Sequence, residues 1–99
     1  MSEQQLALIH KILATWLPAH EVRLFGSRAR GTSKPYSDLD LVIMGDTPTP
    51  LTTMGQLHEA FANSDLPWRV DLVDWADTSP NFRAHIASHS TQLPTPTAL

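Results

Sequence analysis

The sequence predicts an α+β fold in which helices cover one face of a small mixed β-sheet and leave the other face partly open. Short apolar runs of strand length alternate with longer segments whose apolar residues recur at helical spacing. The order is helix, strand, strand, helix, strand, helix, and carboxylates interrupt the strands. Because polar strand residues need an exposed face, one side of the sheet is expected to stay accessible.

The first helix and the first strand have clear boundary signals. Ser2, followed by polar residues, is typical of a helix start, and Pro18 ends a broad apolar stripe at helical spacing. An apolar strand at residues 22–25 closes at Gly26-Ser27. The serine is expected to cap a single helical turn over residues 27–31.

A polar loop that contains Pro35 separates this turn from a second strand at residues 38–44. Alternation in that strand places leucine and isoleucine side chains on one face. Asp38 and Asp40 therefore point together to the other face.

The second half of the chain adds a helix, a strand and a last helix. Thr49 is expected to cap the first of these helices, with Pro50 at its first position. Residues 68–74 form the third strand, and Asp77 or Ser79 caps the last helix.

Size and composition indicate one domain. The chain has 99 residues, which suit a domain over residues 1–90, and the proline-containing residues 91–99 are expected to form a disordered tail. The absence of cysteine excludes a disulfide framework and thiolate metal sites. No apolar run reaches the roughly 18 residues of a membrane span, so a cytoplasmic location without membrane contact is expected. A net charge of −3 argues against direct nucleic-acid binding.

Three strand aspartates carry the functional hypothesis. Asp38 and Asp40 lie on one face of the second strand, and Asp71 joins them if the third strand pairs alongside with its side chain on that face. A carboxylate removed from water must be paired or must bind a metal. Hard cations such as Mg²⁺ prefer such oxygens together with substrate phosphates, and two ions about 3.5–4 Å apart can support phosphoryl transfer.

The Gly26-Ser27 turn supplies a matching phosphate site. Glycine permits close approach of the backbone, and a serine hydroxyl with exposed N–H groups suits phosphate oxygens. Arg28, Arg30 and Lys34 are close enough in sequence to neutralise a triphosphate. Asp-x-Asp or Gly-Ser alone is common, so the hypothesis depends on their combination.

Other polar residues have simpler interpretations. Asp74 points away from Asp71 by alternation, whereas Arg69 shares its face and is a candidate structural ion-pair partner. His85 and His89 have zinc-compatible helical spacing, but a third ligand is not evident.

The order Gly-Ser, ten residues, Asp-x-Asp in GSRARGTSKPYSDLDL resembles the DNA polymerase β-type nucleotidyltransferase superfamily, most closely its minimal nucleotidyltransferases. The resemblance extends to SDLPWRVDLVDW. It implies that Gly26 and Ser27 bind the triphosphate of ATP. It also implies that Asp38 and Asp40 hold Mg²⁺, while Asp71 completes the metal site and helps to deprotonate the attacking hydroxyl.

The resemblance further implies a partner. Minimal nucleotidyltransferases are typically paired with a helical HEPN toxin from a neighbouring gene and act as antitoxins, in the studied type by transferring AMP to a toxin tyrosine. A hetero-oligomer is then expected, because the catalytic parts occupy nearly the whole chain. The large apolar side chains that belong either to the core or to such an interface are Trp16, Trp68, Trp75 and Phe82. The alternatives are an antitoxin that acts by occlusion and a nucleotidyltransferase for a small molecule.

Overall fold

A computed structural model of the chain describes residues 1–96 and has the expected α+β architecture. Its elements, in chain order, are α1 (Glu3–Trp16), β1 (Val22–Phe25), α2 (Ser27–Arg30), β2 (Leu39–Ile43), α3 (Leu51–Ala62), β3 (Val70–Asp74), a 3-10 turn (Trp75–Asp77), α4 (Pro80–His89) and β4 (Thr91–Gln92).

The four strands form one mixed sheet in the order β3-β2-β1-β4. β1 runs antiparallel to β2 and to β4, whereas β2 and β3 are parallel. The parallel pair is joined through α3, as parallel neighbours require a crossover connection. Its register places Asp40 beside Asp71.

α1 and α3 cover one face of the sheet and build the main core. Ile9 of α1, Leu41 of β2 and Leu57 of α3 are completely buried there. Burial of each such side chain contributes about 1.5–3 kcal/mol. The aliphatic face of β2 is thus directed into this core, as its alternation predicts.

α4 covers only part of the opposite face. Ile86 packs against Phe25 of β1 and Val42 of β2 in a second, smaller apolar cluster. Asp38 and Asp71 carry side chains that remain 43% and 42% exposed. This face is therefore partly open near the N-terminal end of β2, where the aspartates lie.

Local capping explains two of the helix starts. The Ser2 side chain accepts a hydrogen bond from the Gln5 backbone N–H, and the Gln5 side chain accepts one from the Ser2 N–H, which completes a capping box. Ser79, one of two predicted candidates, accepts from the N–H of Phe82 and caps α4.

Two predicted caps are wrong. Gly26 occupies the cap position of α2, and Ser27 is the first helical residue. Pro50 precedes α3, while Thr49 lies one residue further out and directs its hydroxyl to another partner. In both cases a backbone or tertiary constraint overrides the cap preference.

Residues 91–93, predicted to belong to a disordered tail, are part of the fold. Thr91 and Gln92 pair with β1, and Leu93 is buried in the main core. The rest of the predicted tail includes residues 97–99, which lie outside the described residues. Within residues 1–96, no helix has the length and apolar character needed to cross a membrane.

Candidate active site

Two neighbouring parallel strands bring the three aspartates to one place. Asp40 of β2 is the register partner of Asp71 of β3, and their carboxyl groups lie within hydrogen-bonding reach. Asp38 precedes β2 by one residue and shares the face of Asp40, because side chains two positions apart in a strand point the same way. The convergence predicted from the sequence is present in the structure.

The three carboxyl groups repel one another as carboxylates. Burial raises the pKa of Asp40, and the charges of Asp71 and Asp38 raise it further. Arg69 opposes these effects without cancelling them. The site therefore has an excess of negative charge, with Asp40 as its least solvated member.

Arg69 is the cation that faces this charge. Its Nη2 lies 3.6 Å from Oδ2 of Asp38 and 3.4 Å from Oδ1 of Asp71. The side chain is 73% exposed, so solvent reaches both contacts. The predicted ion pair with Asp71 is present, and Arg69 also bridges to Asp38.

The Gly26 turn lies directly against the aspartates. Its φ of +74° is a conformation that L side chains rarely adopt. Phe25, the preceding residue, is the register partner of Asp40 across β1 and β2. A β-carbon at Gly26 would overlap Oδ2 of Asp40. Only glycine lets the backbone pass this close to the carboxylate.

Arg28 holds the loop between α2 and β2. Its Nε and Nη2 donate to the carbonyl oxygen of Ser37 at 3.2 and 2.8 Å. The guanidinium also lies 4.3 Å from the ring centre of Trp68, whose indole N–H donates to the carbonyl oxygen of Pro35. Burial lowers the pKa of Arg28, while the nearby charge of Asp40 opposes that change.

The other candidates for the phosphate site are more open to solvent. Ser27 begins α2 and is half-buried, whereas Arg30 at its end and Lys34 in the loop are exposed. Gly26, Ser27, Arg28 and Arg30 are thus placed along one short segment next to Asp40.

A buried polar pair was not predicted. Oδ1 of Asp74 accepts from the Thr49 hydroxyl at 2.6 Å, and its Oδ2 accepts from the Thr49 backbone N–H at 3.1 Å. Asp74 pairs in register with Ile43 and faces the main core, opposite to Asp71, as alternation predicts. A carboxylate on the buried face of a strand needs hydrogen-bond donors. The position of Asp74 on that face was therefore the sequence signal that could have predicted a polar partner.

The histidine candidates lie on α4, and the tryptophan candidates belong to the apolar clusters. The rings of His85 and His89 lie 4.7 Å apart on the exposed side of α4. Trp68 is buried, and Trp16 and Trp75 pack against the two apolar clusters. Phe82, with 39% of its surface exposed, contacts Phe25 edge to face.

The chemistry of the three aspartates fits a divalent cation. They offer hard carboxylate oxygens whose charge Arg69 compensates only in part, and this is the donor type that Mg²⁺ prefers. In the part of the chain that the structure describes, no three Asp, Glu, His or Cys side chains are already arranged around one ion position. Binding of one ion by all three aspartates would therefore require their side chains to move.

Comparisons with known proteins identify the family of the chain. The family model "Polymerase beta, Nucleotidyltransferase" matches residues 8–95. The chain is 48% identical over 83 residues to the Haemophilus influenzae protein named "Probable protein adenylyltransferase MntA", over 84% of this chain and 73% of that protein.

Solved structures share the fold. A toxin–antitoxin crystallised with AMP-PNP contains a chain with a TM-score of 0.74 and 26% identity, covering 98% of this chain and 76% of that one. A candidate minimal nucleotidyltransferase has a TM-score of 0.71 and 29% identity, over 94% of this chain and 97% of its own. Since the family model spans residues 8–95 and includes all three aspartates, the protein belongs to the polymerase β-type nucleotidyltransferase family and is a nucleotidyltransferase.

Proposed function

We propose that this nucleotidyltransferase uses Mg²⁺ to transfer AMP from ATP to a tyrosine hydroxyl of a helical HEPN-type toxin, and so acts as its antitoxin. The observation that carries the proposal is the meeting of Asp38, Asp40 and Asp71 beside the Gly26 turn. The name of the Haemophilus influenzae relative describes a protein acceptor and an adenylyl group. The similar toxin–antitoxin structure contains AMP-PNP, an ATP analogue.

The nucleotide is assigned to the segment around α2. Gly26 and Ser27 would contact the triphosphate through backbone N–H groups and the serine hydroxyl. Arg30 is exposed and available to the phosphate charge. Arg28 is engaged with Ser37, so we assign it to nucleotide binding chiefly through the position of the loop it holds.

Asp38, Asp40 and Asp71 would hold Mg²⁺, which when bound neutralises phosphate charge and increases the acidity of the acceptor hydroxyl. In the transfer step, the acceptor oxygen attacks the α-phosphorus of ATP. Its proton passes to a carboxylate oxygen of Asp71. The bond between the α-phosphorus and the bridging oxygen breaks, and pyrophosphate leaves with that oxygen and its electron pair.

The position of Asp71 suits the role of proton acceptor. β3 is an edge strand of the sheet, and the side chain of Asp71 is 42% exposed. Asp40, one strand further in, is more enclosed, since a glycine backbone covers its Oδ2. An acceptor side chain entering from outside the sheet would reach Asp71 before Asp40.

Two exposed aromatic side chains flank the site and are available to a protein partner. Tyr36, with 85% of its surface exposed, lies two residues before Asp38. Phe82 packs on Phe25, which directly precedes the Gly26 turn. The tryptophans belong instead to the two apolar clusters. We therefore place the toxin over the open face of the sheet, between these two aromatic side chains.

Incubation with α-labelled ATP, Mg²⁺ and the HEPN-type toxin encoded beside this chain tests the proposal. Label is expected on a toxin tyrosine, and Asp38→Asn/Asp40→Asn should remove it. Asp46→Asn, at an exposed position in the turn after β2, is the matched control and should retain transfer. Absence of label on the toxin with every divalent metal tried would contradict the enzymatic proposal.

One observation favours a second candidate, an antitoxin that acts by occlusion alone. Arg69 pairs with Asp38 and Asp71, so a side chain of the protein itself compensates part of their charge. The two candidates differ in living cells that express the toxin. Full protection by the Asp38→Asn/Asp40→Asn variant would support occlusion, whereas toxicity in the presence of the folded variant would support transfer.

A further inference from the structure

We propose that Arg69 is an internal counter-cation of the site, which holds the carboxylates of Asp38 and Asp71 in the metal-free protein and is displaced from them when a divalent cation binds. The inference rests on the metal role of the aspartates in the proposed function. The new element is that Arg69 and the metal ion compete for the same carboxylates.

The contacts of Arg69 have the character of exchangeable ion pairs. Its Nη2 is 3.4 Å from Asp71 and 3.6 Å from Asp38, longer than the roughly 2.7–2.9 Å of strong charge-assisted hydrogen bonds. With a side chain that is 73% exposed, these pairs are screened by water. Exposed pairs of this kind contribute little to stability and are easily exchanged.

Arg28 and Arg83 are held differently from Arg69. Arg28 donates twice to a backbone carbonyl and stacks on an indole ring. Arg83 donates to the carbonyl oxygens of Trp75 and Ala76. The side-chain polar contacts of Arg69 seen within residues 1–96 are with carboxylates, the groups that a metal would use.

The backbone keeps Arg69 at the site even when its side chain moves. Its carbonyl oxygen accepts from the N–H of Leu39 at 2.9 Å, which fixes it beside the start of β2. Displacement therefore requires rotation of one exposed side chain and no change of the sheet. A metal ion from solution can thus replace the guanidinium of Arg69 beside the carboxylates without a change in the backbone.

Titration of the nucleotide-free protein with Mg²⁺, followed by NMR of the arginine side-chain N–H groups, observes the displacement directly. The Arg69 signals should shift, and their exchange with water should increase as the metal site fills. Arg83 provides an internal reference, because its guanidinium is bonded away from the aspartates. Unchanged Arg69 signals at metal saturation would overturn the proposal.

Binding of Mn²⁺, measured by electron paramagnetic resonance of the free ion, gives the second measurement. Arg69→Gln should bind Mn²⁺ about three- to tenfold more tightly, as expected when one or two weak ion pairs no longer compete. Arg69→Lys should fall between this variant and the original chain. Lys11→Gln removes one positive charge from an exposed position on α1 and should change the affinity by less than about twofold.

The outcomes separate this inference from the proposed function. Equal or weaker Mn²⁺ binding by Arg69→Gln overturns the counter-cation role and leaves AMP transfer untouched. Normal metal displacement of Arg69 without AMP transfer supports the inference and contradicts the transfer reaction. Failure of the nucleotide-free chain to bind either metal overturns the counter-cation role, whereas AMP transfer is decided separately by the labelling experiment with ATP present.

Discussion

Gly26 lies so close to Asp40 that a β-carbon on the glycine would overlap Oδ2 of the aspartate. The turn that ends β1 and the carboxylate of β2 are therefore in direct contact. This contact joins the two halves of the candidate site, the phosphate-binding segment and the metal-binding aspartates.

Gly26→Ala is expected to reduce both stability and nucleotide binding. The φ of +74° strains any other residue, and the added methyl must push Asp40 away. We expect a loss of about 1–3 kcal/mol, which lowers Tm by about 5–15 °C in a domain of this size. Thermal unfolding with and without Mg-ATP measures both effects.

The matched control is Gly55→Ala. Gly55 lies in α3, and nothing lies within 4 Å of a β-carbon built there. This substitution should stabilise the protein by about 0.5–1 kcal/mol, since alanine favours a helix. An unchanged Tm and unchanged nucleotide binding in Gly26→Ala would show that the turn and Asp40 are not coupled.

Asp40→Asn should leave the metal-free protein as stable as before or more stable at neutral pH. Burial and the charges of Asp71 and Asp38 raise the pKa of Asp40 from 3.8, so the folded state binds its proton more readily than the unfolded state. Stability from this group is greatest at low pH, falls as the pH rises from about 3.8 through the raised pKa, and stays low above it. Asparagine does not ionise, so the variant does not lose stability in this pH range.

Urea unfolding in EDTA across pH 4–8 checks the sign, with the difference between the original chain and the variant as the quantity measured. Asp46→Asn, exposed and remote from the three aspartates, should show no such difference. The stabilisation by Mg-ATP, about 2.7 kcal/mol at a hundredfold excess over Kd, should disappear in Asp40→Asn. A marked loss of metal-free stability would instead indicate a structural ion-pair role.

Thr49→Val should destabilise the fold without affecting ligand binding. It removes the 2.6 Å hydrogen bond to Asp74 and leaves a buried carboxylate with the single remaining backbone donor of residue 49. The expected loss is about 1.5–3 kcal/mol. Denaturant unfolding measures it, and the metal and ATP affinities of the folded variant should be unchanged.

Thr52→Val is the control, because Thr52 is exposed on α3 and its substitution should alter stability by no more than about 0.5 kcal/mol. Equal stability of the two valine variants would show that Asp74 does not depend on the Thr49 hydroxyl.

Local patterns predicted the parts of the site that depend on one strand. The common face of Asp38 and Asp40, and the opposite orientation of Asp74 relative to Asp71, follow from the two-residue period of a strand. The pairing of Asp40 with Asp71 is different, because it requires the parallel register of two strands separated by a helix. The two-residue period of the strands is compatible with the contact between Asp40 and Asp71 but does not determine it.

Tertiary contacts account for what sequence patterns missed. The sequence around Thr49 is typical of a helix cap, but its hydroxyl donates a hydrogen bond to Asp74, 25 residues away. Trp68 reaches 33 residues back to the carbonyl oxygen of Pro35. The pairing of Thr91 with Leu24 of β1 likewise depends on the approach of distant segments. Such partners are selected by the packed fold, so local composition gives them no specific signal.

Arg28→Gln should release the loop that precedes Asp38. The substitution removes both hydrogen bonds to the carbonyl oxygen of Ser37 and the guanidinium over the ring of Trp68. Chymotrypsin should then cut more rapidly after Tyr36, a residue with 85% of its surface exposed in this loop. We expect the free energy of unfolding to fall by about 1–2 kcal/mol, because the variant loses the hydrogen bonds of a charged donor and the cation–π contact.

The same variant should bind ATP more weakly, because the loop sets the position of Asp38 relative to the Gly26 turn. Arg30→Gln separates the loss of loop order from the loss of charge. Arg30 is exposed at the end of α2, so its substitution should weaken ATP binding but leave cleavage at Tyr36 unchanged. If both variants were cleaved at the rate of the original chain, the contacts of Arg28 with Ser37 and Trp68 would not be what keeps the loop ordered.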